Sequence, residues 1–111
     1  MPSPTRSAGP VADRLAQLLA DDGFPVERPD ADWPESPAVV TRLSSGRKGR
    51  TLQFNGHLDT VHLPYEAPSV IDGVLGGSGA ADMKGGLSSA IEAMRALRDA
   101  ELLPGGGILL T

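Results

Sequence analysis

Apolar positions along the chain follow two periodicities. Over residues 10–20, Val11, Leu15, Leu18 and Leu19 return to one face at helical spacing. Pro10 suits the first turn of such a helix and Gly23 supplies a stop after it. Residues 24–28 read as a short strand, and the Pro- and Asp-rich stretch 29–37 as loop. Residues 38–43 are apolar and β-branched, which predicts a strand. Residues 50–55 predict another. The polar run 44–49 between them reads as a turn, so the two strands are expected to pair as a hairpin with a longer loop.

Residues 56–79 carry no sustained period. This stretch of 24 residues, with two prolines and five glycines, is long enough to suggest function rather than simple connection. Over residues 83–103, Leu87, Ala90, Ile91, Met94 and Leu97 form one stripe, with Arg95, Arg98, Asp99 and Glu101 largely off it. That pattern predicts the strongest helix of the chain, ended by Pro104 and the glycines 105–107. Residues 108–111 begin an apolar strand. Strand, crossover helix and strand make an α/β unit, so the expected fold class is α/β, a mixed sheet flanked by helices. The first nine residues read as a flexible tail and residues 10–111 as the structured part. A buried strand usually runs longer than four residues, so a strand that begins at residues 108–111 is unexpectedly short.

Composition narrows the candidates. The 111 residues carry a formal net charge of -4 and no basic stripe interleaved with aromatics, which speaks against a nucleic-acid surface. Arg47, Lys48 and Arg50 cluster only in the expected turn, a solvated position. No apolar run approaches the roughly 18 residues of a membrane span. The start lacks the apolar core of a secretory signal. With no cysteine, a disulfide scaffold and a thiolate metal site are both excluded, so any metal needs His, Asp or Glu ligands. These features fit a cytoplasmic protein.

Two elements carry candidate chemistry. The first is Asn55-Gly56-His57-Leu58-Asp59-Thr60, directly after an expected strand. In extended backbone His57 and Asp59 point to the same side. An imidazole there can bind a metal with one nitrogen and donate its other N–H to a carboxylate, which fixes the tautomer. From the spacing alone, a surface His beside a turn Asp is the commoner outcome. The second element is Gly76-Gly77-Ser78-Gly79-Ala80-Ala81-Asp82-Met83-Lys84-Gly85-Gly86. Asp82 stands where a helix N-cap would. Gly85 and Gly86 cost roughly 1 kcal/mol each in a helix relative to Ala, so a close backbone approach is expected to offset them.

Together with Asp72-Gly73-Val74-Leu75, these stretches resemble the core signature of the zinc-dependent metallopeptidase and deacylase family of acetylornithine deacetylase, succinyl-diaminopimelate desuccinylase, aminoacylase and carboxypeptidase G. The resemblance runs over about residues 11–111 and is densest over residues 52–97. It identifies residues 10–111 as the N-terminal part of a catalytic domain of zinc-peptidase-like fold, with an inserted dimerisation domain absent. It implies that His57 is a ligand of one zinc ion and that Asp59 is the catalytic carboxylate that orients His57. It also implies that Asp82 bridges two zinc ions and that the Asp82–Met83 peptide bond is cis. The implied cofactor is zinc, two ions in a complete site, with cobalt as a substitute. The implied reaction is hydrolysis of the amide bond of a small N-acyl amino acid or peptide by a metal-activated water, with a Glu as general base. The full-length protein is expected to be a homodimer, without nucleic-acid or membrane partners.

Ser78 departs from the pattern, standing where many relatives carry Arg, and the loop between the motifs lacks a Trp often found there. His62, five residues after His57, matches no ligand position. Lys84 could salt-bridge near the site or serve structure. The expected general base belongs to a Glu-Glu pair after a strand like residues 108–111. Glu27, Glu35, Glu66, Glu92 and Glu101, the only glutamates, do not match it. The 111-residue chain alone is therefore expected to be inactive and to hold zinc weakly. The alternatives are a non-catalytic fragment or decayed homologue, and a phosphate-binding loop at Gly77-x-Gly79. The last is disfavoured because Asp82 replaces the third glycine, and a carboxylate there repels phosphate.

Overall fold

The computed structural model describes residues 1–30, 32–60 and 64–111. The elements in order are α1 (Gly9–Asp21), β1 (Val26–Glu27), β2 (Val40–Ser44), β3 (Thr51–Phe54), β4 (Ser69–Ile71), β5 (Val74–Gly76), a π-helical turn (Ala80–Gly85), α2 (Gly86–Asp99) and β6 (Gly107–Leu110). The main sheet has the order β1-β2-β6-β3, with β3 parallel to β6 and the other pairs antiparallel. The mixed sheet and the β3-α2-β6 crossover agree with the expected α/β class. No helix among the described residues is long and apolar enough to cross a membrane.

Alternation along β6 explains the core. Ile108 and Leu110 are both buried and share one face of the strand. Against that face pack Ala12 and Leu19 from α1, Leu87, Ile91 and Met94 from α2, and Phe24 and Val39. Burying one such side chain is worth roughly 1.5–3 kcal/mol, so this shared cluster is the main force holding helices to sheet.

The expected β2–β3 hairpin does not form. Residue 41 of β2 pairs with Leu110, and Phe54 of β3 pairs with the same Leu110 from the other side, so β6 lies between them. The loop of residues 45–50 wraps the start of β6 through Ser45 N–H to the Gly106 carbonyl (3.0 Å), Gly106 N–H to that of Arg47 (3.0 Å) and Gly107 N–H to that of Arg50 (3.1 Å). Two apolar strands joined by a polar turn look alike whether they pair directly or flank a third strand. The last strand of the chain, distant in sequence, decides it.

Two further boundaries differ. The expected helix over residues 83–103 begins only at Gly86, because Asp82 (φ -117°, ψ 101°) and Met83 (φ -133°, ψ 22°) are not helical. It ends before Leu103 because Glu101 takes a left-handed φ of 54° and Leu102 N–H turns back to the Leu97 carbonyl (3.0 Å). The expected loop over residues 56–79 contains the β4–β5 hairpin, turned at Asp72 (φ 51°) and Gly73 (φ 80°). Asp-Gly between apolar pairs is a strong hairpin signal, and Val70, Ile71, Val74 and Leu75 flank it here.

The two helices are also joined by charge. Asp22, just past α1, accepts from Arg95 Nε, and Arg98 Nη1 donates to its carbonyl at 2.6 Å. Arg98 also lies over the Phe24 ring, 4.5 Å from its centroid. The hydrogen bond from Arg95 holds the Asp22 carboxyl below its ordinary value of 3.8; burial opposes this, and the charges of Arg95 and Arg98 add to it. A carboxyl lowered on folding contributes stability above its unfolded pKa, and that stability is lost as pH falls through the folded value. Asp22→Asn is therefore expected to lower the urea midpoint at neutral pH and to close on the wild type at acid pH, below the ordinary value of 3.8. An equal loss at both pH values would mean that packing, not charge, joins the helices.

Candidate metal centre

The site forms where β3 ends and α2 begins. Asn55 and Gly56 carry the chain out of β3 while staying tied to the end of β6: Gly56 N–H donates to the Thr111 carbonyl (2.9 Å) and Asn55 Nδ2 to Thr111 Oγ1 (2.9 Å). Gly56 has no room for a side chain, since a Cβ there would lie 2.5 Å from Leu87 Cδ2. The His57 backbone therefore sits directly on the first turn of α2.

His57 Nδ1 lies 3.1 Å from Asp59 Oδ1 and 3.1 Å from the Asp59 carbonyl oxygen. Its Nε2 lies 3.2 Å from Asp82 Oδ1. The structure thus brings together all three residues singled out in the sequence, with Asp59 and Asp82 on opposite edges of one imidazole. His62 lies outside the described residues. Asp82 sits in the π-helical turn, and its peptide bond to Met83 is cis. Of the two glycines expected to make a close approach, Gly85 does, because a Cβ there would lie 2.5 Å from the Ala80 carbonyl oxygen. Around Gly86 the space is open.

Charge is concentrated at the ring. Burial disfavours the His57 cation, but the Asp59 carbonyl, the hydrogen bond to Asp82 and the charges of both carboxylates outweigh it, so its pKa lies above 6.5. The Thr5 hydroxyl lowers the Asp59 carboxyl below 3.8; burial opposes this and His57 adds to it. Burial lowers Lys84 below 10.5, against the pull of Asp59.

The donor set suits a divalent metal shared by His57 and Asp82. Two ligands at about 2.0–2.1 Å from one tetrahedral ion lie about 3.3 Å apart, close to the separation seen. With Nδ1 engaged by Asp59, the Nε2 lone pair is the one left to face a cation. Asp82 is 75 % exposed, so its second oxygen has room for another partner. Among the described residues no group of three His, Asp or Glu side chains surrounds one point, so these residues alone do not complete a coordination shell.

Residues 3–5, within the stretch read from the sequence as a flexible tail, lie beside this site. Ser3 is fully buried, and Pro4 forms a parallel bridge with Thr60. No periodicity marks this segment, and Ser3 and Thr5 bond to Leu58 and Asp59, more than fifty residues away.

Peptidase family M20/M25/M40 matches residues 53–111, the stretch from β3 to β6 that carries all three site residues. A succinyl-diaminopimelate desuccinylase of Methylobacterium radiotolerans is 38 % identical over 109 residues, covering 88 % of this chain and 27 % of that protein. An N-formyl-4-amino-5-aminomethyl-2-methylpyrimidine deformylase of Bacillus subtilis is 32 % identical, covering 96 % of this chain and 27 % of its own length. The chain thus spans about a quarter of these relatives. Among solved structures, a tripeptidase of Staphylococcus aureus superposes with a TM-score of 0.77 over 99 % of this chain and 32 % of that one, at 24 % identity. Human carnosine dipeptidase 1 superposes with a TM-score of 0.72 over 92 % of this chain and 25 % of that one, at 25 % identity.

Proposed function

Because the chain belongs to peptidase family M20/M25/M40, we propose that it builds the first half of a two-zinc centre that hydrolyses the amide bond of a small N-acyl amino acid or peptide. The observation that carries this reading is the His57 ring, with Nδ1 on Asp59 and Nε2 3.2 Å from Asp82. The relatives are named for removing succinyl or formyl groups and for cleaving di- and tripeptides. The bond common to those names is an amide in a small molecule.

In this reading His57 and Asp82 are the residues that would hold zinc, with the exposed Asp82 carboxylate available to more than one ion. Zinc, when bound, polarises the scissile carbonyl and lowers the pKa of a coordinated water from 15.7 to about 7. Asp59 keeps the His57 ring in the tautomer and orientation that present Nε2. The Asp59 and Asp82 carboxylates concentrate negative charge on either side of the ring. Among the described residues no third ligand joins His57 and Asp82, so the general base and the remaining ligands would come from outside this set. The 111-residue polypeptide alone binds zinc weakly and does not catalyse, since losing a general base typically costs 10²–10⁴-fold.

The test is expression of the full reading frame and assay on a panel of N-acyl amino acids and dipeptides. Hydrolysis is expected with zinc, lost with a chelator and restored by zinc or cobalt. A well-folded full-length protein that cleaves none of the panel with either metal, or cleaves it regardless of chelator, would refute the assignment.

A further inference from the structure

Ser3 and Thr5, which belong to neither sequence motif, converge on the site together with Lys84 of the second. Residues 3–5 run beside residues 58–60, paired through the Pro4–Thr60 bridge. A turn closed by Ser7 N–H on the Pro4 carbonyl (2.9 Å) follows the bridge, and the Ser3 and Thr5 hydroxyls reach the consecutive residues Leu58 and Asp59. Thr5 Oγ1 donates to Asp59 Oδ2 at 2.5 Å, and Asp59 Oδ1 lies 3.1 Å from His57 Nδ1. A single carboxylate thus links the Thr5 hydroxyl to the imidazole. Asp59 is 22 % exposed and Thr5 is its recorded side-chain donor besides His57.

Ser3 closes a second link. Its hydroxyl donates to the Leu58 carbonyl (2.8 Å) and accepts from Lys84 Nζ (2.7 Å). Its carbonyl accepts from Thr60 N–H (2.7 Å). Leu58 follows His57, and Lys84 lies two residues after Asp82. Ser3 therefore ties the loop bearing one candidate ligand to the turn bearing the other. Gly79 leaves the passage for the lysine: a Cβ there would lie 2.8 Å from Lys84 Nζ. The side chain of Ser3 is fully buried, so these bonds are shielded from exchange with water.

We propose that Thr5 and Ser3 are positioning residues of the metal centre, Thr5 locking the Asp59 carboxylate against His57 and Ser3, through Lys84, setting the distance between His57 and Asp82. This rests on the metal-site reading above. Outer partners of metal-binding side chains typically change metal affinity 10–100-fold. Thr5 acts one bond further out, so Thr5→Val is expected to weaken zinc binding about 10-fold, the lower end of that range.

The experiment titrates the chain with zinc alone and follows the His57 Nδ1–H proton by NMR. Thr5→Val keeps the shape of the side chain and removes the hydroxyl. It should keep the thermal midpoint, broaden or lose the Nδ1–H resonance and weaken zinc binding about 10-fold. Thr5→Ser, which restores the hydroxyl, should restore both. Ser3→Ala should weaken zinc binding while sparing the Nδ1–H resonance, because its effect passes through Lys84. His57→Ala separates the two readings. If it binds zinc as the wild type does, the metal-site reading falls and takes this inference with it. If His57→Ala loses zinc while Thr5→Val keeps both zinc and the resonance, only the positioning role is overturned.

Discussion

Replacing Asp82 with alanine is expected to strip zinc from the full-length protein and lower amide hydrolysis more than about 100-fold, with the fold unchanged. The magnitude follows from rank. Outer partners alone cost about 10–100-fold in affinity or activity, and a carboxylate shared by two ions is closer to the chemistry than they are. The preserved fold follows from exposure: the Asp82 side chain is 75 % exposed and its recorded side-chain partner is His57. The substitution thus removes no core packing and leaves no buried group unpaired. Metal content after dialysis, rate on the best substrate and thermal midpoint are the three measurements. Unchanged zinc content and rate in a folded Asp82→Ala protein would remove Asp82 from the site. A collapsed midpoint would instead make the turn at residues 80–85 structural.

Gly106→Ala is expected to destabilise the protein by about 2–5 kcal/mol, the sum of two separate costs. Gly106 has φ of +72°, a left-handed conformation that costs an L side chain roughly 1–2 kcal/mol. The new Cβ would also lie 1.9 Å from the Arg50 carbonyl oxygen. That oxygen cannot simply swing aside, because it accepts the Gly107 N–H at 3.1 Å where β3 and β6 begin to pair. Overpacking of this kind typically costs 1–3 kcal/mol. Urea unfolding measures the loss. Gly46→Ala is the matched comparison: its φ is +69°, but no atom lies within 4 Å of the added carbon. It should show only the backbone cost. Equal losses for the two variants would mean that the Arg50 contact relaxes freely.

Gly106 also shows what local sequence conceals. The run Gly105-Gly106-Gly107 reads as the end of a helix, but α2 has already ended at Asp99 and Gly107 opens β6. That it also admits the 45–50 loop against β6 depends on two strands that flank β6 without touching each other. Nothing in the residues of β2 and β3 records the strand between them. The β4–β5 hairpin is different: its Asp-Gly turn was present in the sequence and was masked by the prolines and glycines around it.

The candidate-site residues left marks in the sequence, although spacing alone favours a surface His beside a turn Asp and their roles were implied by the family resemblance. His57 and Asp59 are two apart beyond a strand, and Asp82 stands among glycines that ordinary helix propensity disfavours. Short-range geometry and an unusual local cost both leave marks in sequence. The α/β class was legible for a similar reason, because the periods of 3.6 and 2 are local consequences of burial on one face. Strand order was not, nor was the packing of residues 3–5 on the site, where Thr5 meets Asp59 across 54 positions. Contacts of that range are chosen by how whole elements pack. The sequence by itself determined which side chains are candidates for the chemistry, and only the tertiary structure decided which distant hydroxyls lie against them.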